Sequence, residues 1–347
     1  MIRRCVLLSR IPGSNVEREE EGELLRKAMD RDVINVARYY HHETVQVGGR
    51  DDDIQSNVRK ELDIARAKNC PSKHSISSQN TSAATTPRIG RTAGLKRSSS
   101  QAGVSLPPSK RSCSVSSTKA ESQPVSNRVH RRVVVRDFGE PIYKASSPAA
   151  LLRALEGCIR GHESLYRKAG LLHRDISINN LIINEDRNNP SWPAFLIDLD
   201  LAIAKEQQYA SEAKRKTGTR AFMAIGVLVG EQHSFMHDLE SFFWVLFWIC
   251  IHYAGPDDRG RIIPQFDQWN FIDTVELAQL KLGTVSDDEI FRRTVTGYFT
   301  EYYEPVIPWI NKLRRIVFPG GGRWKSEDEG LYSSMKKVLD EAANELK

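Results

Sequence analysis

Acidic residues are nearly absent from residues 71–130, which hold Glu121 alone against nine lysines and arginines. That segment therefore carries +8, while the whole 347-residue chain carries +6, leaving −2 on the remainder. The basic excess belongs to one segment and not to a folded surface, so nucleic acid is not expected as a partner. Cysteine pairs at metal-binding spacing are also missing. Cys5, Cys70, Cys113, Cys158 and Cys250 are odd in number and scattered. Neither a disulfide framework nor a zinc site is suggested, which fits a reducing compartment. The apolar run at residues 5–8 is too short for a signal-peptide core. The most apolar stretch, residues 242–253, falls well short of the ~20 residues that span a bilayer. These absences lead us to expect an intracellular protein, cytoplasmic or nuclear, without a membrane span. Lysine is missing from residues 1–20, and Gly13 is the only glycine before Glu21.

What is present is ordinary globular content: 40% hydrophobic and 27% charged residues. A chain of this length accommodates one large or two medium domains, at roughly 100–200 residues each. Residues 17–29 are acidic early and basic later, which predicts a helix by the dipole rule. Residues 43–47 alternate and end at Gly48-Gly49, a strand-and-turn signal. Residues 71–130 contain 16 Ser and 5 Thr and almost no large apolar side chains, so disorder is expected. They serve either as a plain linker or as a regulatory insert, since Lys96-Arg97 and Lys110-Arg111 stand beside serines. A β-branched run at 131–136 resumes order. Leu151, Leu152, Leu155, Ile159, His162 and Leu165 recur at helical spacing and predict a helix from Ser147 to Gly170. A second helix, apolar on every side, is expected from near Asp238 to Tyr253 and marks a buried core. Further helices are expected over 257–347, with Trp269, Trp309 and Trp324 as anchors.

The chemistry-bearing stretch lies between those helices. His173, Arg174 and Asp175 are followed after four residues by Asn180. This is the spacing of the protein-kinase catalytic loop. A carboxylate such as Asp175 can accept or orient the proton of an attacking hydroxyl. An amide oxygen such as that of Asn180 can ligate Mg²⁺ without adding charge. Asp198 follows 23 residues after Asp175, at the end of the apolar run 195–197. Asp200 is the rival metal ligand, and the alignment on Ile197 and Ala202 favours Asp198.

Residues 218–226, Gly-Thr-Arg-Ala-Phe-Met-Ala-Ile-Gly, are similar to the end of a kinase activation segment. Asp238 opens the apolar helix where kinases place an aspartate that bonds the catalytic-loop backbone. Together these motifs make the chain resemble a eukaryotic-type protein kinase, and specifically the fungal-type protein kinase family. The resemblance covers residues 17–70 and 128–340. It implies an α+β, two-lobed protein-kinase-like fold with an incomplete N-terminal β lobe and a mainly helical C-terminal lobe. It divides the chain into a remnant or irregular N-terminus (1–16), a partial small lobe (17–70), the Ser-rich insert (71–130), the hinge and large lobe (131–340) and a tail (341–347). It implies ATP and Mg²⁺ as cofactors and a protein Ser/Thr hydroxyl as substrate. In this reading Asp175 is catalytic, and Asn180 and Asp198 hold metal and nucleotide. Glu21 is the glutamate of the small-lobe helix, with Glu20 and Glu23 as rivals. His173, Arg174, Thr219 and Asp238 take structural parts, and Thr219 bonds the catalytic aspartate as in Ser/Thr kinases.

The pattern also breaks. A kinase needs a Gly-rich loop over the phosphates and a strand lysine paired with the helix glutamate. Residues 1–20 offer neither, only Arg10 behind the apolar run 5–8, and the chain is expected to be N-terminally truncated with weak or absent transfer. Ser177 stands where Ser/Thr kinases place a lysine, and Gly226 where a glutamate braces the activation segment by an ion pair. Two alternatives stay open. One is a pseudokinase acting as a protein-binding module. The other is a small-molecule kinase of the aminoglycoside or choline type, against which residues 218–224 argue.

Overall fold

A computed structural model of the protein describes residues 6–15, 19–60, 127–209 and 218–346. The expected disordered insert lies outside the described residues up to 126. Its last residues, 128–130, already belong to a strand.

The first part is a small antiparallel sheet carrying one helix. Strand β1 (Val6–Asn15) precedes helix α1 (Glu21–Asp30). Strand β2 (Tyr39–Thr44) follows, then the hairpin β3 (Gln46–Val47) and β4 (Arg50–Asp51). Strand β5 (Arg128–Val135) lies between β1 and β2, giving the order β1-β5-β2. Val6 faces Val135 and Arg10 faces Arg131 across the ladder. The helix begins at Glu21 rather than at Glu17 and buries Leu24, Leu25 and Ala28. Those residues, three and four apart, form one face, as amphipathic packing requires.

After β6 (Glu140–Pro141) the chain is mainly helical. Helix α2 (Pro148–Ser164) starts as its sequence dictates: the Ser147 hydroxyl accepts from Ala150 N at 3.1 Å, and Pro148 sits at the first helical position. It ends in a wider turn, Leu165–Ala169, closed by the left-handed Gly170. Then come β7 (Leu171–Leu172), β8 (Leu181–Ile183), β9 (Ala194–Leu196) and β10 (Ile203–Ala204). These short strands form two small antiparallel sheets, β6-β8-β9 and β7-β10. They hold the loops 173–180 and 197–202 side by side.

Helix α3 (Ile225–Leu228) precedes α4 (Phe235–His252). The latter starts one turn before Asp238 because Ser234 and His237 form a capping box, with histidine in the place usually taken by Glu or Gln. Its all-round apolar surface is buried as expected, and Trp244 packs edge-on against Trp269 with ring centres 5.5 Å apart. Burying each such side chain is worth roughly 1.5–3 kcal/mol. Around it stand α5 (Pro264–Asp267), α6 (Thr274–Val285), α7 (Asp288–Tyr298), α8 (Ile307–Val317) and α9 (Gly330–Glu345). Residues 341–345, set aside as tail, are helical, and Ala342 and Ala343 are buried. Among the described residues no helix is long and apolar enough to cross a membrane.

Candidate active site

The site is assembled from four segments, and the loop 173–180 is its centre. His173 is fully buried. Its Nε2 lies 3.1 Å from the carbonyl of Ile197, which can only accept, so Nε2 carries the proton. Nδ1 then accepts from the Asp175 N–H at 3.3 Å. Burial pushes the imidazole pKa down, in keeping with this neutral tautomer. His173 therefore fixes the Asp175 backbone to the residue before Asp198.

Asp175 is held from both sides. Its Oδ1 accepts from Thr219 N at 2.9 Å and from Thr219 Oγ1 at 3.0 Å. Its Oδ2 accepts from Asn180 Nδ2 at 3.1 Å, and the same amide donates to the Asp175 carbonyl at 2.8 Å. With both amide hydrogens thus committed, the Asn180 side chain has its amide oxygen left to offer a ligand. Ile197 N donates to the Asn180 carbonyl at 3.0 Å, so Asp198 follows directly on a bond to the same loop. Asp198 is buried, and Asp200 is half-exposed with its N–H turned to Asp198 Oδ1 at 3.3 Å. Of the two rivals, Asp198 is the inward one.

Strain marks the same places. Arg174 has φ +66° and Asp198 has φ +70°, both in the left-handed region that ordinary side chains avoid. Such residues cost of order 1–3 kcal/mol each and gather where geometry matters. Gly218 has φ +110°, and a Cβ there would lie 2.8 Å from the Arg174 carbonyl. Only glycine lets residue 218 pass so close and still deliver Thr219 to Asp175.

From the sheet side, Glu21 is only 5% exposed and its Oε1 accepts from Leu199 N at 3.1 Å. Its rivals face elsewhere: Glu20 pairs with Arg131 at 2.9 Å, and Glu23 with Arg26 and His42. The link between α1 and β2 also reaches this region. Leu196 N donates to Asn35 O at 3.0 Å, and Ala37 N to Leu196 O at 2.9 Å.

Beneath the loop, Asp238 is a buried acceptor with four donors. The N–H groups of His173 and Arg174 reach it at 3.1–3.2 Å. His162 Nε2 reaches it at 2.8 Å and His233 Nε2 at 2.7 Å. Burial alone would raise this carboxyl, but the His233 charge and the two imidazole bonds outweigh it and hold the pKa well below the carboxylate range. Asp238 was legible from the motif. His162 and His233 were not singled out for it, because nothing in their spacing announces a shared partner. Ser177 is buried within the loop, and Gly226 sits where an added Cβ would meet Glu231 and His237 at 2.3 and 2.4 Å.

The donor set at the centre is two carboxylates and one amide oxygen, all hard oxygen ligands of the kind Mg²⁺ takes together with phosphate and water. Among the described residues no group of three His, Cys, Asp or Glu forms a metal cage of its own. The oxygen donors present fit a shared metal–phosphate site.

A buried carboxylate bonded to a Thr and an Asn, beside a second carboxylate on a strained turn, is the arrangement of a kinase-type loop. The sequence profile of the family described as fungal protein kinase matches residues 13–250. The chain belongs to that family. No curated protein matches the sequence.

Proposed function

We propose that the chain is a Ser/Thr protein kinase domain of two lobes whose site takes Mg²⁺–ATP between the β1-β5-β2 sheet and the helical part. The observation that carries this reading is the three-way link of Thr219, Asp175 and Asn180, with Asp198 tied to the same loop through Ile197. In this reading Asn180 and Asp198 hold Mg²⁺, which supplies neutralisation of the phosphate charge. Asp175 orients the acceptor hydroxyl and takes its proton at the carboxylate. Thr219 fixes the Asp175 carboxylate and shapes the acceptor pocket for a serine or threonine. Buried His173 and Asp238 keep the loop rigid, so that positioning costs nothing at the moment of transfer.

Residues 1–20 hold no lysine and Gly13 as their one glycine, so neither the strand lysine nor the Gly-rich loop of a kinase stands there. Phosphoryl transfer by residues 1–347 is therefore expected to be weak. The same observation favours a second reading, a nucleotide-responsive binding module. A radiolabelled-ATP assay beside Asp175→Asn decides between them. Transfer to Ser or Thr that the substitution abolishes supports the kinase. Mg²⁺-dependent nucleotide binding without transfer supports the module. Phosphotyrosine alone as product would overturn the Ser/Thr assignment.

A further inference from the structure

Thr219 can hold Asp175 only if its own segment is held, and within that segment Arg220 Nη1 donates to the carbonyls of Phe271 and Ile272 at 3.3 and 2.8 Å. Gly226 has no room for a side chain, as its neighbours Glu231 and His237 show. Further purchase comes from two buried ionisable residues outside the segment, Glu240 and Lys281. Glu240, on α4, uses Oε1 to accept from Ile225 N at 2.7 Å. The same oxygen accepts from the Trp244 indole N–H at 2.9 Å. Lys281, on α6, is 0% exposed and donates to the Met223 carbonyl at 2.6 Å. Its ammonium lies 4.5 Å from the Trp244 ring centre and 5.3 Å from that of Trp269. Trp244 thus gives its N–H to the acid and its face to the base, so the two side chains are organised around one indole.

A buried lysine is expensive to keep unless its charge is compensated and its donors are used. The holding of two backbone atoms, Met223 O and Ile225 N, just past the 3₁₀ turn Arg220–Phe222 is the return the structure shows. Phe222 N bonds Thr219 O at 2.9 Å, and Met223 N bonds Arg220 O at 3.2 Å. The clamp on Met223 and Ile225 is therefore one tight turn from Thr219. Phe222 packs edge-on to Trp248 at 5.6 Å, which secures the turn from the α4 side.

We propose that Glu240 and Lys281 are positioning residues for the acceptor side of the site: they clamp the backbone at 223–225 and thereby register Thr219 against Asp175. This rests on reading Asp175 as the place of phosphoryl transfer. The clamp itself is testable without any transfer, so the two claims can fail separately.

The test is amide hydrogen exchange on the full chain, read over 219–226 and, as reference, over α2. In Lys281→Met, exchange at 219–226 rises by about tenfold or more, the worth of one charge-assisted hydrogen bond, while α2 and Mg²⁺–ADP affinity stay unchanged. Where transfer is measurable, the acceptor-peptide KM rises and the ATP KM does not, a split that mere loosening of the fold would not produce. Glu240→Gln keeps an acceptor oxygen for Ile225 and Trp244, so exchange rises only severalfold there. It also decides the matter if Lys281→Met does not fold. Unchanged exchange at 219–226 in the variants, or an equal rise in α2, would overturn the proposal.

Discussion

Thr219 spends two donors on one oxygen of Asp175, and only one of them is a side chain. Thr219→Val removes the hydroxyl bond and keeps the backbone bond. Transfer should fall by about tenfold, equivalent to one hydrogen bond of ~1.4 kcal/mol, with little change in thermal midpoint. A valine variant as active as the parent would remove Thr219 from the acceptor pocket. Gly218 is less forgiving. Alanine there meets the Arg174 carbonyl and an unfavourable φ at once, and should destabilise by ~1–3 kcal/mol in chemical denaturation. At this scale the sequence was informative where partners are close along the chain. Asp175 and Asn180 are five residues apart, and their spacing, with the motifs that follow it in order, pointed to the loop. The role of His173 as the pin between Asp175 and Ile197 needed the fold, because a tautomer is set by partners 24 residues away.

The loop 173–180 is only as rigid as the start of α4, since Asp238 collects its first two N–H groups. Asp238→Ala leaves those donors and two imidazoles without their acceptor, and should cost ~3–5 kcal/mol, read as a fall in midpoint by thermal unfolding. The cap of the same helix sets the response to acid. His237 Nδ1 accepts from Ser234 N at 2.9 Å, so the ring is held neutral. Burial first, and then the charge of His233, push its pKa down to about 3 against the opposing pull of Asp238, while Glu231 meets the Nε2 edge. In the unfolded chain a histidine titrates near ~6.5. As pH falls below that value the unfolded state takes up a proton that the folded state refuses, so stability falls. Asp238 has the opposite history. Its depressed carboxyl pKa supplies stability above ~3.9, which is lost only as pH falls through its still lower folded value. Stability lost as pH falls below about 6 is thus assigned to His237 together with His173 and His252, whose pKa values burial also lowers, at ~1.4 kcal/mol per pH unit for each full proton. His237→Gln keeps a residue suited to the cap, and denaturant melts across that range should show a flatter slope. An unchanged slope would mean that His237 does not titrate differently in the two states. The expected start of α4 at Asp238 was three residues late because a histidine, and not a glutamate, closes the box.

The molecule as a whole joins a small sheet with one helix to a mainly helical remainder, and the candidate site draws residues from both. That division was legible: β-branched and alternating runs before residue 136, long apolar helices after it. The meeting itself was not, because it depends on contacts such as Glu21 with Leu199, which are 178 residues apart. Nor were Glu240 and Lys281, whose relation exists only once α4 and α6 pack around Trp244. The central claim is that Asp198 and Asn180 make one Mg²⁺–nucleotide site with Asp175. Isothermal titration of ATP into the full chain, with Mg²⁺ and with EDTA, tests it most directly when run beside Asp198→Asn and Asp175→Asn. The account predicts binding that Mg²⁺ strengthens in the parent, loss of that metal dependence in Asp198→Asn, and metal-dependent binding retained in Asp175→Asn. Binding indifferent to Mg²⁺, or metal dependence that survives intact in Asp198→Asn, would contradict it.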